Sequence, residues 1–152
     1  MTKKIKLVYD SYENDIGFVV EKVNQENQEY IILKQIDNKE INFNRDLIIY
    51  TWGVKKHKEI KCDIIFDATL FSTKIKVDVK NLTGLDEIIQ QSIINHNMFD
   101  MIMEKIITEI EESNPKIIGI VCNYGKHRSV GWAELIKKFY YKNTIINHIG
   151  LK

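Results

Sequence analysis

Proline and cysteine are both scarce in this chain of 152 residues, which has one proline, Pro115, and two cysteines, Cys62 and Cys122. Two thiols do not make a disulfide framework. No stretch rich in Pro, Gly or Ser offers a flexible linker, and no internal repeat or low-complexity tract is present. Charge of one sign is also lacking: 22 basic against 21 acidic residues leave a formal +1, which excludes bulk attraction to polyanions. Any nucleic-acid contact must then come from a local patch. No apolar run approaches the ~18 residues of a membrane span. Met1-Thr2-Lys3-Lys4 leads into alternating residues and not into the apolar core of a signal peptide. The expectation is a cytoplasmic protein with reduced thiols and no membrane partner.

What is present is 44% hydrophobic residues, enough for one globular domain that buries about two-thirds of its unfolded surface. The first third reads as an antiparallel β meander. Its strands are Ile5 to Tyr9, Phe18 to Val23, Tyr30 to Leu33 and a short one near Ile41 to Phe43, with turns at Asn14–Gly17 and Asp37–Lys39. From Leu47 onward the pattern changes. Leu47 to Trp52, Cys62 to Asp67 and Lys116 to Cys122 are apolar strands, the last one the expectation for a central parallel strand covered on both faces. Thr83 and Asp86 suggest a helix start, and Ile89, Ile93, Met98, Ile102, Ile106 and Ile110 carry helical spacing through Glu112, where Asn114-Pro115 stops it. A second helix spans Val130 to Phe139, and Thr144 to Ile149 closes as a strand. Strand, helix, strand makes a βαβ unit. The fold class is therefore α/β, a mostly parallel sheet with flanking helices. Residues 1–45 are a meander extension and residues 46–152 an α/β phosphate-binding domain.

The chemistry concentrates where the strand Ile117–Cys122 ends. Asn123, Tyr124, Gly125, Lys126, His127, Arg128 and Ser129 follow directly and lead into a helix. A strand–loop–helix junction aims backbone amides and a positive helix end at one point. Gly125 permits close backbone approach, Arg128 offers a planar fork for two phosphate oxygens, Lys126 a mobile charge and Ser129 a hydroxyl. These residues, with Asp67 at a neighbouring strand end, form the candidate phosphate site. Asp67 either orients a basic residue or binds a sugar hydroxyl, or it caps a turn. His127 is a general acid, a ligand donor beside Arg128 or a helix-start residue bonded to backbone. Cys122 and Arg128 also fit the Cys-x5-Arg loop of thiol phosphatases, in which a thiolate attacks phosphorus; the alternative is a small buried residue that ends a strand. The second glycine of a Walker A loop is missing. Lys55, Lys56, His57 and Lys58, with Lys142, form the basic set that could hold an RNA backbone, and solvated lysines explain them equally. His57, His96 and His148 share no metal spacing, so no metal and no cofactor is expected.

Several short blocks resemble a known family. Gly125-Lys126-His127-Arg128-Ser129-Val130, behind Cys122-Asn123, is similar to the Gly-Cys-Thr-Gly-Gly-x-His-Arg-Ser-Val block of the C-terminal domain of the RNase adapter RapZ. Ile65 to Leu70 resembles its Phe-Asp-x-Arg-Phe-Leu, Leu82 to Asp86 its Leu-Thr-Gly-x-Asp, and Tyr50 to Gly53 its first strand end. The resemblance covers residues 47–152. It implies a non-enzymatic sensor or adapter domain that binds a phosphorylated amino sugar and structured RNA and works as an oligomer, with Asn123, Tyr124, Gly125, His127 and Arg128 as the ligand loop. The Walker-type N-terminal domain of that family is expected to be absent, with the meander in its place. Tyr124 stands where the family has a small residue, and Thr69 where it has arginine.

Overall fold

The computed structural model describes residues 2–8, 18–25, 28–36, 39–75 and 77–152. In chain order the strands are β1 (Lys3–Lys6), β2 (Phe18–Gln25), β3 (Gln28–Ile36), β4 (Lys39–Glu40), β5 (Ile48–Gly53) and β6 (Ile64–Asp67). Helices α1 (Glu87–Ile94) and α2 (Phe99–Ser113) precede β7 (Ile117–Cys122). Helix α3 (Arg128–Phe139), β8 (Ile145–His148) and a 3-10 turn over Ile149–Leu151 complete the chain. Five strands form one sheet in the order β1-β6-β7-β5-β8, and every neighbouring pair is parallel. Strands β2, β3 and β4 form a separate antiparallel sheet.

The first strand departs from the meander reading. β1 pairs in parallel with β6, so it is an edge of the main sheet. Its alternation reports one apolar face, which Ile5 and the fully buried Leu7 present to the main core, and alternation alone does not say which sheet accepts that face. Ile41 to Phe43 is also not a strand; Ile41 is drawn into the core and Phe43 stacks on Tyr140 at 6.1 Å. Tyr9, the Asn14–Gly17 turn and Asp37-Asn38 lie outside the described residues.

The long helix expected from Thr83 to Glu112 is two helices. The chain breaks at 95–98, where the ring of His96 lies 4.5 Å from that of Phe71 and its Nδ1 accepts the Met98 amide. Both helices keep their apolar residues toward the core, so a single periodicity runs through the break unseen. Thr83 and Asp86 do pair as a capping box would, with the Thr83 amide donating to Asp86 Oδ2 at 2.7 Å. The helix begins behind Asp86, which is its N-cap. Asn114, in the left-handed region at φ 50°, ends α2 directly before Pro115.

Two successive crossovers, β6 to β7 and β7 to β8, run the same way across the sheet and place their helices on one face. There Ile49, Ile64, Phe66, Ile118 and Ile120 meet Ile106, Trp132 and Ile136 in the main core. The opposite face of β7 carries no described helix. A smaller cluster of Trp52, Cys62, Ile65 and Val121 covers it, so the expected two-sided cover is helical on one side only.

Arg45 and Glu111 fasten the segment before β5 to α2. Arg45 Nε donates to Glu111 Oε2 at 2.6 Å, the Asn42 amide to Oε1 at 3.0 Å and the Tyr141 hydroxyl to Oε2 at 2.7 Å. Burial alone would raise the Glu111 carboxyl, but the donors from Arg45, Asn42 and Tyr141 outweigh it and hold the group below its ordinary 4.5. A depressed carboxylate contributes stability that is present above its unfolded value and lost as pH falls through the folded one. Glu111→Gln should therefore cost about 2 kcal/mol near neutral pH, and its stability should fall less than that of the wild type on acidification below 4.5, as measured by urea unfolding.

Candidate anion-binding site

The loop after β7 is built on main chain. Beyond Cys122, the Cys122 carbonyl accepts the Val54 amide at 2.9 Å and the Asn123 carbonyl that of Lys55 at 3.0 Å, so the turn after β5 is hydrogen-bonded to the loop. A Cβ on Gly53 would lie 2.2 Å from the Tyr124 carbonyl carbon, and one on Gly125 would lie 2.5 Å from the Gly53 nitrogen. Gly125 also has φ +74°, a conformation that side chains resist. Gly150, in the last turn, closes against the Gly125 carbonyl in the same way. The ring of Tyr124 points outward and is 54% exposed, with Lys55 Nζ 5.6 Å and Lys56 Nζ 5.9 Å from its centroid.

Cys122 and Ser129 turn inward. Both are buried; Cys122 Sγ and Ser129 Oγ share a hydrogen bond of 3.2 Å, and the Gly125 amide donates to the same sulfur at 3.3 Å. Burial would push this thiol up, but bonds from the Ser129 hydroxyl and amide and the Gly125 amide, with the charge of Arg128, hold it below its ordinary value. Cys62 shows the contrast: burial, then Asp63 and Glu59, raise it to about 11. The Ser129 hydroxyl thus braces the loop from within and does not face a ligand.

Arg128 opens α3 and reaches across to the turn behind β6. Its Nη1 donates to the carbonyls of Ala68, Thr69 and Phe71 at 3.3, 2.9 and 2.8 Å. The Nε–Nη2 edge, the side-on face of the fork, donates to no described residue, and no described carboxylate pairs with the guanidinium. His127 Nε2 lies 2.7 Å from the Leu82 carbonyl and 3.1 Å from that of Val79, which places the ring proton on Nε2. Lys126 Nζ donates to the Lys80 carbonyl at 3.2 Å. The Gly84 amide donates to the Lys126 carbonyl at 2.8 Å, and a Cβ on Gly84 would lie 2.2 Å from the Gly131 nitrogen, so the Leu82–Gly84 turn is pressed onto the start of α3. Beside Arg128 and His127 opens a cavity of about 300 Å³, walled by Ser72, Thr73, Val77 and Val79.

The remaining candidates divide. Asp67 takes the capping alternative: its Oδ1 accepts the Thr69 amide at 2.8 Å, and its side chain lines a cavity on the sheet face away from the helices. Lys55 and Lys56 lie beside the loop against the ring of Tyr124, Lys58 follows them in the chain, and the His57 ring folds back to accept the Gly53 amide through Nδ1 at 3.1 Å. Lys142 does not join them; it follows α3, whose 12 residues rise about 18 Å from Arg128 to the opposite end of the strands. The carbonyls of Ala68, Thr69 and Phe71 escaped the sequence reading, because main-chain acceptors leave no residue signature. Among the described residues, no group of three or more His, Cys, Asp or Glu is placed to hold a metal ion, and no helix is long and apolar enough to cross a membrane.

The four short blocks singled out in the sequence meet at this one end of the sheet, and residues 45–151 match the model of the RapZ C-terminal domain. The chain belongs to that family. Curated relatives include a nucleotide-binding protein of Listeria monocytogenes, 27% identical over 130 residues that cover 78% of this chain and 44% of the relative. Others are nucleotide-binding proteins of Caldicellulosiruptor bescii, 30% identical over 60% of this chain and 35% of the relative, and of Bacillus velezensis, 25% identical over 66% and 37%. The chain thus spans less than half the length of each of these relatives. Within the family domain, the Gly125 contact should tolerate no side chain. Gly125→Ala combines a left-handed φ with overlap on backbone atoms and should cost about 3 kcal/mol in denaturant unfolding.

Proposed function

We propose that this RapZ-type domain binds a phosphorylated small molecule, a phosphosugar or a nucleotide, at the loop Asn123 to Arg128, and acts as a sensor or adapter without chemistry of its own. The observation that carries this reading is the guanidinium of Arg128. It is partly buried and its Nη1 is fixed by three carbonyls, while its Nε–Nη2 edge is free of any described carboxylate at the amino end of a helix. A phosphate there receives two charge-assisted hydrogen bonds and the favourable end of the helix dipole. The names of the curated relatives, nucleotide-binding proteins, agree with a phosphorylated ligand. A phosphatase reading is weaker. Cys122 is 2% exposed and its sulfur is occupied by Ser129 and Gly125, so no phosphorus atom reaches it without rearrangement of the loop.

Arg128→Lys separates the two jobs of this residue, because an ammonium still serves the carbonyls of Ala68, Thr69 and Phe71 but offers no fork. In calorimetry against a sugar phosphate and a mononucleotide, this variant should keep the wild-type melting temperature and bind the preferred ligand roughly 10- to 100-fold more weakly. Equal affinity in the two proteins would remove the reading.

RNA is the second partner, favoured by one observation: Tyr124 is exposed beside the loop with the ammonium groups of Lys55 and Lys56 close to its ring. An aromatic face with two adjacent cations suits an unpaired base and its flanking phosphates. The logarithm of affinity for a structured RNA should fall steeply with the logarithm of salt concentration, and replacing Lys55 and Lys56 together by alanine should flatten that slope by about 1.4 to 1.8. An unchanged slope excludes this surface.

A further inference from the structure

The face of the sheet opposite the helices contains a second cavity, of about 320 Å³. Its floor is apolar, made by Trp52, Ile65 and Val121 from three adjacent strands, all at most 3% exposed. Its rim is charged, and the charges do not all cancel. Lys4 Nζ and Glu59 pair at 2.8 Å and neutralise each other. Lys6 forms no ion pair among the described residues, and its register partner on β6 is Asp67. Asp67 spends Oδ1 on the Thr69 amide, which leaves Oδ2 as an acceptor. His57 accepts the Gly53 amide through Nδ1, which puts the ring proton on Nε2 and makes that atom a donor.

Lys6 and Asp67 are register partners on the adjacent strands β1 and β6, and the apolar floor runs from them across β7 toward the turn that carries His57. That arrangement is complementary to a small molecule with an anionic group for Lys6, a cationic amine beside it for Asp67, and an apolar body laid over the floor. The cavity lies at the small end of ligand sites in size. We propose that it binds a zwitterion with an apolar body, the chemistry of an α-amino acid with a hydrophobic side chain. This site is separate from the phosphate site and does not rest on it: no described helix borders it, and its polar groups come from β1, β6 and the turn after β5.

The test is calorimetry of the full chain with leucine and phenylalanine, and with phenethylamine and hydrocinnamate, which each lack one of phenylalanine's charges. The amino acid should bind, and each single-charge analogue should bind about tenfold or more weakly. Asp67→Asn, whose amide oxygen still caps the Thr69 turn, and Lys6→Met should each weaken the amino acid about tenfold while circular dichroism stays unchanged. The titration repeated in saturating inorganic phosphate should give the same affinity. Competition by phosphate would assign the amino acid to the Arg128 loop and overturn the inference. So would absence of binding at millimolar amino acid, or an Asp67→Asn variant that binds as tightly as the wild type. Concentration-dependent dimerisation in sedimentation, with no response to amino acids, would show that this face is covered by a second copy instead.

Discussion

Three stretches of backbone meet at the ends of the strands with no side chain between them: Gly53 at the end of β5, Gly125 in the loop after β7, and Gly150 in the last turn. Each contact is closer than any Cβ allows, so the path of the loop follows from these positions being glycine. The turn that carries Lys55 and Lys56 is fixed by the same contact, because its amides bond the carbonyls that Cys122 and Asn123 present. The inner side of the loop is held by Cys122 and Ser129, and its outer side carries Tyr124. Remove the close approach and the aromatic ring, the lysines and the start of α3 no longer share one place.

The positive charge of this region is arranged with the same economy. Buried or half-buried arginines ordinarily find carboxylates, as Arg45 does with Glu111. Arg128 finds three carbonyls instead. Carbonyl dipoles orient a guanidinium without neutralising it, so the net charge remains available to an anion. His127 and Lys126 are treated alike, each bonded to carbonyls of the segment 79–82. The basic loop is thus held by main chain on two sides, from the turn after β6 and from the turn before α1.

Much of this was legible in the sequence. The apolar runs that become β5, β6 and β7, the helix behind Arg128 and the glycine-bearing loop between them follow from periodicity and from where each run stops. The errors have physical causes. β1 alternates as any half-buried strand does, and its partner lies far along the chain. The break at His96 is invisible because Ile93 and Ile102 face the same core on either side of it. One-sided helical cover depends on the order of strands, which pattern does not give. Lys142 lies at the far end of α3, as the rise of that helix requires. Asp67 and Ser129 bond an amide and a thiol, partners that could not be inferred from residue type.

The carbonyl anchorage of Arg128 has a thermodynamic consequence. A free arginine side chain carries about 2 kcal/mol of rotamer entropy, which a ligand must ordinarily overcome when it immobilises the group. Here that freedom is lost when the chain folds, before any anion arrives. The Nε–Nη2 edge of the guanidinium is therefore oriented before the proposed anion arrives, and the free energy of its hydrogen bonds to that anion would not be offset by ordering of the side chain.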